Sequence, residues 1–233
     1  MNIYAHRGFS GRYPENTMLA FRKAAETGCS GIELDVQLSR DGQVVVIHDE
    51  ELDRTTDGTG PVERYTLAEL QRFNAAKIHS EAASFEHIPS FDEYCGWAAA
   101  TRLVTNIELK TGVVYYRDIE RKTLDIVKAH GLAKKVFFSS FNPISVMRMK
   151  SLAPDIPCGI LVEHPIRHVG LMCRVSGLDY YHPDIGGLTQ EAVDECHAHG
   201  IAVNVWTVNV KEELEKLRNL KADGAFSNFP DMN

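Results

Sequence analysis

Four short stretches of the sequence bring together residue types that can move protons and hold charge. His6-Arg7 follows the apolar Ile3-Tyr4, and Glu33 and Asp35 lie two residues apart. His48 follows Val44-Val45-Val46-Ile47, and Glu108 and Lys110 again lie two apart. A spacing of two within a strand puts both side chains on one face. Three carboxylates gathered at one place cannot all stay ionised unless a cation joins them. Glu33, Asp35 and Glu108 offer oxygen alone, which suits one hard divalent cation, Mg²⁺ or Ca²⁺ with Mn²⁺ as a further option, better than Zn²⁺. His6 and His48, titratable near neutrality, suit a general acid–base pair. Arg7 with its planar fork and Lys110 with its compact charge suit a phosphate. A metal, two cationic side chains and two histidines point together to phosphoryl transfer at a diester.

Each piece alone has a plainer reading. Glu33-x-Asp35 could be a solvated face, Glu108-x-Lys110 a surface ion pair and His48-Asp49 a turn. In a parallel barrel, however, strands are covered on both faces, so charged positions within them need a reason. His164, His168, His197 and His199 read as surface or helix residues, whereas His182 ends a strand and is a candidate for the rim. Trp206 also ends a strand and reads either as core or as an apolar wall for substrate.

The elements that must position these residues alternate along the chain. Strands centre near Tyr4, Leu34, Asn106, Phe137, Ile160, Tyr180, Val203 and Ala225, with helical segments between them. This rhythm predicts an α/β fold, a (β/α)8 TIM barrel with a small insertion after the second strand. An open doubly wound sheet fits less well, because no Gly-rich dinucleotide fingerprint is present. Val44–Ile47 is expected to pair antiparallel with the strand before it, across the short turn at Arg40-Asp41-Gly42-Gln43. Residues 1–233 read as one domain, and the polar, turn-rich residues 49–89 as the insertion within it. Helix starts are expected at Thr66-x-x-Glu69, Ser90-x-x-Glu93 and Asn209-x-x-Glu212.

The chain has 233 residues, 44% of them hydrophobic and 24% charged, an ordinary globular composition. A net charge of −7 argues against nucleic acid as a partner. Five widely spaced cysteines without a Cys-x-x-Cys read as free thiols of a reducing compartment. No apolar run is long enough for a membrane anchor, and His6 leaves no room for a signal peptide, so a cytoplasmic protein is expected.

Several stretches resemble the glycerophosphodiester phosphodiesterase family. They are His6-Arg7-Gly8, Pro14-Glu15-Asn16-Thr17, Glu33-Leu34-Asp35-Val36, His48-Asp49, Leu52-Asp53-Arg54-Thr55-Thr56, Gly58-Thr59-Gly60, Glu108-Leu109-Lys110 and Val205-Trp206-Thr207-Val208-Asn209. The resemblance implies a barrel with a small insertion, and hydrolysis of a small-molecule glycerophosphodiester to glycerol 3-phosphate and an alcohol. It implies His6 and His48 as the acid–base pair, Glu33, Asp35 and Glu108 as metal ligands, and Arg7 and Lys110 as phosphate contacts. Trp206 would line the glycerol or alcohol end. One departure is Ser227-Asn228-Phe229-Pro230, where the family usually has a Thr-Asp-x-Pro-like ending. By sequence it is expected to touch none of the proposed catalytic positions.

Two other functions compete. A lysophospholipase D-type hydrolase would need an apolar rim for an acyl chain, and the insertion is mostly polar. A non-catalytic barrel binding a phosphorylated metabolite or a protein partner would not need the full set of site residues.

Overall fold

The strands form where apolar residues alternate or run together. The computed structural model describes residues 1–232. Its strands are β1 (Asn2–His6), β2 (Gly31–Leu38), β3 (Val44–Val46), β4 (Val104–Leu109), β5 (Val136–Ser140), β6 (Cys158–Val162), β7 (Tyr180–Pro183), β8 (Ala202–Val205) and β9 (Gly224–Ser227). The helices are α1 (Met18–Glu26), α2 (Leu67–Leu70), α3 (Phe91–Ala99), α4 (Ile119–Ala129), α5 (Pro143–Leu152), α6 (Val169–Val175), α7 (Gln190–Ala198) and α8 (Lys211–Leu220).

Apart from β3, neighbouring strands pair in parallel, in the order β1-β9-β8-β7-β6-β5-β4-β2. Pairing of β1 with β2 closes this set of eight into a barrel. All eight expected strand centres lie in these strands. β3 lies outside the ring and pairs antiparallel with β2, Val36 opposite Val46, as the short turn requires.

Every residue of β2 is buried. Ile32, Leu34 and Val36 join the apolar layer shared with the helices, which leaves Glu33, Asp35 and Gln37 on the opposite face. Inside the barrel Tyr4 packs against Phe137 and Phe226 at ring distances of 5.4 and 5.3 Å, and Phe137 packs on Tyr180 at 4.9 Å. This aromatic layer fills the interior, so the barrel is a packed core rather than a pore. Residues between β3 and α3 gather around a separate apolar cluster that includes Leu52, Val62, Leu70 and Ile88, with Val45 and Ile47.

The caps agree with the local sequence. Thr66 and Glu69 form the reciprocal capping box of α2, Ser90 accepts from Glu93 N–H at α3, and Pro143 opens α5 behind its Asn142 cap. Two expectations need correction. Helix α8 begins one residue later than expected, behind Val210, because the Asn209 side chain is used elsewhere: its Oδ1 accepts from Asn228 N–H at 3.0 Å. His182 is not at the rim. It is fully buried among Phe137, Tyr180 and Phe226, and burial lowers its pKa to about 3, so it packs as a neutral ring.

Candidate active site

Parallel register lines up the groups at the carboxyl ends of the first three barrel strands. His6 is level with Glu33 across β1 and β2, and Asp35 is level with Glu108 across β2 and β4. The chain then turns sharply after β1, with positive φ at Arg7 (56°) and Gly8 (78°). A positive φ is free for glycine but strained for arginine, and such strain concentrates at working sites. The turn aims Arg7 N–H at Glu33 Oε2, 2.8 Å away. The Arg7 guanidinium lies 2.9 Å from Glu15 and 3.5 Å from Asp35.

Glu33, Asp35 and Glu108 are buried, and each offers an oxygen within 4.8 Å of the others. Burial, then the neighbouring charges of Asp35 and Glu108, pushes Glu33 well above the usual carboxylate range. Glu108 is pushed up to about 7, chiefly by burial and Asp35, against the pull of Lys110 at 3.1 Å. Burial also opposes ionisation of Asp35, but its neighbours His48, Arg7 and Lys110 and a 2.9 Å bond from Asn16 Nδ2 hold it below the usual range. Asp35 Oδ1 is buried without a hydrogen-bond partner. Two carboxyls held up by mutual repulsion, beside an orphaned carboxylate oxygen, fit a hard divalent cation.

Two imidazoles flank this cluster. His6 Nδ1 donates to Asn228 Oδ1 at 2.7 Å, and His6 Nε2 lies 4.0 Å from Glu33. Burial, and next the Arg7 charge, lower His6 to about 4. His48 Nδ1 donates to Asp49 Oδ1 at 2.6 Å, and Lys110 Nζ donates to His48 Nε2 at 3.2 Å. In both rings the bond at Nδ1 fixes the tautomer, which leaves His6 Nε2 open and turns His48 Nε2 to Lys110.

These side chains open on a cavity of about 520 Å³ lined by His6, Arg7, Glu33, His48, Glu108 and Lys110. Its apolar wall includes Leu109, Phe141, Leu161, Phe226 and Trp206. Trp206 is fixed by Nε1 donating to His182 O at 2.9 Å and by Phe141 packed edge-to-face at 5.4 Å. All eight residues singled out by sequence therefore meet at one end of the barrel.

The sequence reading missed several supporting groups. Asn228 is the correction of most consequence: the unusual ending was expected to stay clear of the catalytic positions, and instead it holds His6. Only the adjacency of β1 and β9 brings it there. Gln37 Nε2 lies 3.1, 2.9 and 2.7 Å from the carbonyl oxygens of Ile47, His48 and Asp49, while its Oε1 accepts from the Tyr116 hydroxyl at 2.8 Å. It pins the backbone that presents His48. Alternation past Glu33 and Asp35 puts Gln37 on the same face, a signal that was legible.

Comparison with known proteins places the chain in a family. The model of the "Glycerophosphoryl diester phosphodiesterase family" matches residues 6–232. A glycerophosphodiester phosphodiesterase of Caldanaerobacter subterraneus subsp. tengcongensis is 37% identical over 98% of this chain and 94% of its own. One from Bacillus altitudinis is 38% identical over 98% and 95%. The structure of an Oleispira antarctica phosphodiesterase in complex with the product sn-glycerol-3-phosphate superposes with a TM-score of 0.90, at 30% identity over 99% of this chain and 94% of that one.

Proposed function

The chain belongs to the glycerophosphoryl diester phosphodiesterase family and is a glycerophosphodiester phosphodiesterase, and from this premise we propose how its site performs the hydrolysis. Glu33, Asp35 and Glu108 hold one divalent cation, His6 and His48 are the acid–base pair, Arg7 and Lys110 hold the phosphate, and Trp206 walls the alcohol end. The observation that carries this reading is the carboxylate trio within 4.8 Å, flanked by two imidazoles with Nδ1 tied back.

A divalent cation in that cluster would supply electrostatic stabilisation of the charge that builds on the phosphoryl oxygens. This chain's own groups do the rest. Arg7 and Lys110 position the diester. The glycerol 2-hydroxyl attacks phosphorus as the bond to the leaving alcohol breaks. One Nε2 takes the hydroxyl proton, while the other ring, which enters the step protonated at both nitrogens, gives its Nε2 proton to the alkoxide. Water then opens the resulting cyclic phosphate to glycerol 3-phosphate, and the two imidazoles exchange roles and return to their starting states.

The test is hydrolysis of a panel of glycerophosphodiesters with Mg²⁺, Ca²⁺, Mn²⁺ or a chelator. Chelation should abolish turnover, and His6→Ala and His48→Ala should lose it while staying folded. Near wild-type turnover in either variant removes the role given to that histidine.

One observation favours a second substrate class. The lip of the cavity is partly apolar: Val113 and Phe141, which line it, are exposed. An acyl chain on this lip would make lysophospholipids substrates as well, and comparing acylated with deacylated diesters decides it. None of the described helices is long and apolar enough to cross a membrane. With five free cysteines, all buried, a reducing cytoplasm is the compartment we assign. Residues 49–89 we take as an insertion within a single domain.

A further inference from the structure

Arg54, in the insertion, touches neither the cavity nor the carboxylate trio, yet it joins two arms of the site. Its Nε and Nη2 donate to Asp49 Oδ2 and Oδ1 at 2.6 and 3.0 Å. Its Nη1 and Nη2 donate to Glu15 Oε2 and Oε1 at 2.8 and 2.7 Å. Asp49 in turn holds His48 Nδ1, and Glu15 holds the Arg7 guanidinium. The result is an unbroken chain of hydrogen bonds, Arg7–Glu15–Arg54–Asp49–His48. Asp49 is held below its usual range, burial being outweighed by the bonds from His48 and Arg54, so it accepts both bonds as a carboxylate.

The loop that presents Arg54 is itself fixed. Thr56 Oγ1 donates to Leu52 O at 2.9 Å, Gly60 N–H donates to Asp53 Oδ2 at 2.8 Å, and Lys77 Nζ donates to Asp53 O. Leu52 and Thr56 are fully buried. A planar fork with donors on two edges can bind two carboxylates side by side at fixed angles, which an ammonium cannot do.

We propose that Arg54 is a positioning residue: it bridges Glu15 and Asp49 so that the phosphate-binding Arg7 and the acid–base His48 are held in one rigid frame, and supplying this bridge is the insertion's part in the reaction. The proposal rests on the roles given above to Arg7 and His48. Without the bridge, Asp49 is free to swing and His48 loses its aim. Glu15 then pairs with Arg7 alone and competes with the phosphate for it.

Arg54→Ala should lower kcat about 10- to 100-fold and raise KM, with Tm and divalent-cation affinity unchanged. Arg54→Lys, with the charge kept but not the fork, should stay impaired, and added guanidinium should restore part of kcat to Arg54→Ala. Asp49→Asn should lower kcat similarly, and adding Arg54→Ala to it should cost far less than the product of the two losses. Wild-type kcat in Arg54→Ala, or full recovery in Arg54→Lys, overturns the proposal. So does a loss that tracks a fall in Tm and is not rescued by guanidinium. If Arg54→Ala is unfolded, Arg54→Lys and Glu15→Gln decide the matter on the same criteria. His48→Ala separates the two levels: if it keeps turnover, the role of His48 fails, whereas if it is dead and Arg54→Ala is fully active, the bridge alone fails.

Discussion

Cation binding should weaken steeply with acid, by an amount the carboxylate cluster sets. Glu108 rises from 4.5 to about 7 in the folded protein, and Glu33 rises as well. A cation must displace the proton from Glu108 before that oxygen can bind it. At about pH 8 Glu108 is already ionised. At about pH 5 it lies about two units below its midpoint, so removing the proton costs roughly 3 kcal/mol and the apparent affinity falls about 100-fold. Glu33 adds to this in the same direction. The sign for cation-free stability follows from the same shift. A carboxyl whose folded value lies above its unfolded one leaves folding unpenalised below 4.5, and stability is lost as pH rises from 4.5 to about 7. For a chain of this size the roughly 3 kcal/mol involved is about 6–12 °C in Tm. The assay is thermal unfolding across a Mg²⁺ or Ca²⁺ titration at both pH values. The midpoint should move at least about 100-fold, and Glu108→Gln should reduce that dependence while Glu33 keeps its own share. A midpoint that stays put between the two pH values, or one that Glu108→Gln leaves equally pH-dependent, refutes the reading of the cluster as a cation site under repulsion.

Other outcomes follow from single contacts. Asn228→Ala should lower kcat by about 10-fold or more with little change in Tm, because His6 loses the partner that fixes its tautomer; unchanged turnover would mean that the bond is incidental. Gln37→Leu strands three carbonyls and the Tyr116 hydroxyl, and equilibrium unfolding should show a loss of about 2–4 kcal/mol. Phe137→Ala opens a cavity in the barrel's aromatic layer and should cost about 3–5 kcal/mol by the same measurement. His182 is neutral in the fold with a value of about 3 against 6.5, so the wild-type protein should lose stability as pH falls from 6.5 towards 3. His182→Leu should lose less over that range, as seen in urea midpoints at about pH 7 and about pH 4.

The fold was readable because the strand–helix rhythm is regular and punctuated by Gly, Pro and capping residues. The site was readable wherever two charged residues share a strand face, as Glu33 with Asp35 do, since a buried strand has no other use for them. What stayed hidden depends on closure rather than on local pattern. Asn228 reaches His6 only because the last strand pairs with the first. His182 reads like a rim residue because its neighbour Pro183 ends a strand, and only the packing of Tyr180, Phe137 and Phe226 shows the ring turned into the core. Asn209 looks like a helix cap by spacing, but the closing loop offers its side chain a partner that the helix does not.

The bond between His6 and Asn228 spans 222 residues of sequence. Asn228 is therefore made long after His6, and the two can meet only once β9 has docked beside β1. Until the final strand docks beside the first, His6 has no acceptor at Nδ1 and its ring is free to flip. On the role proposed above for His6, hydrolysis waits on the pairing of β9 with β1. Asn228→Ala separates the two events, keeping all eight strands of the ring while losing the bond to His6.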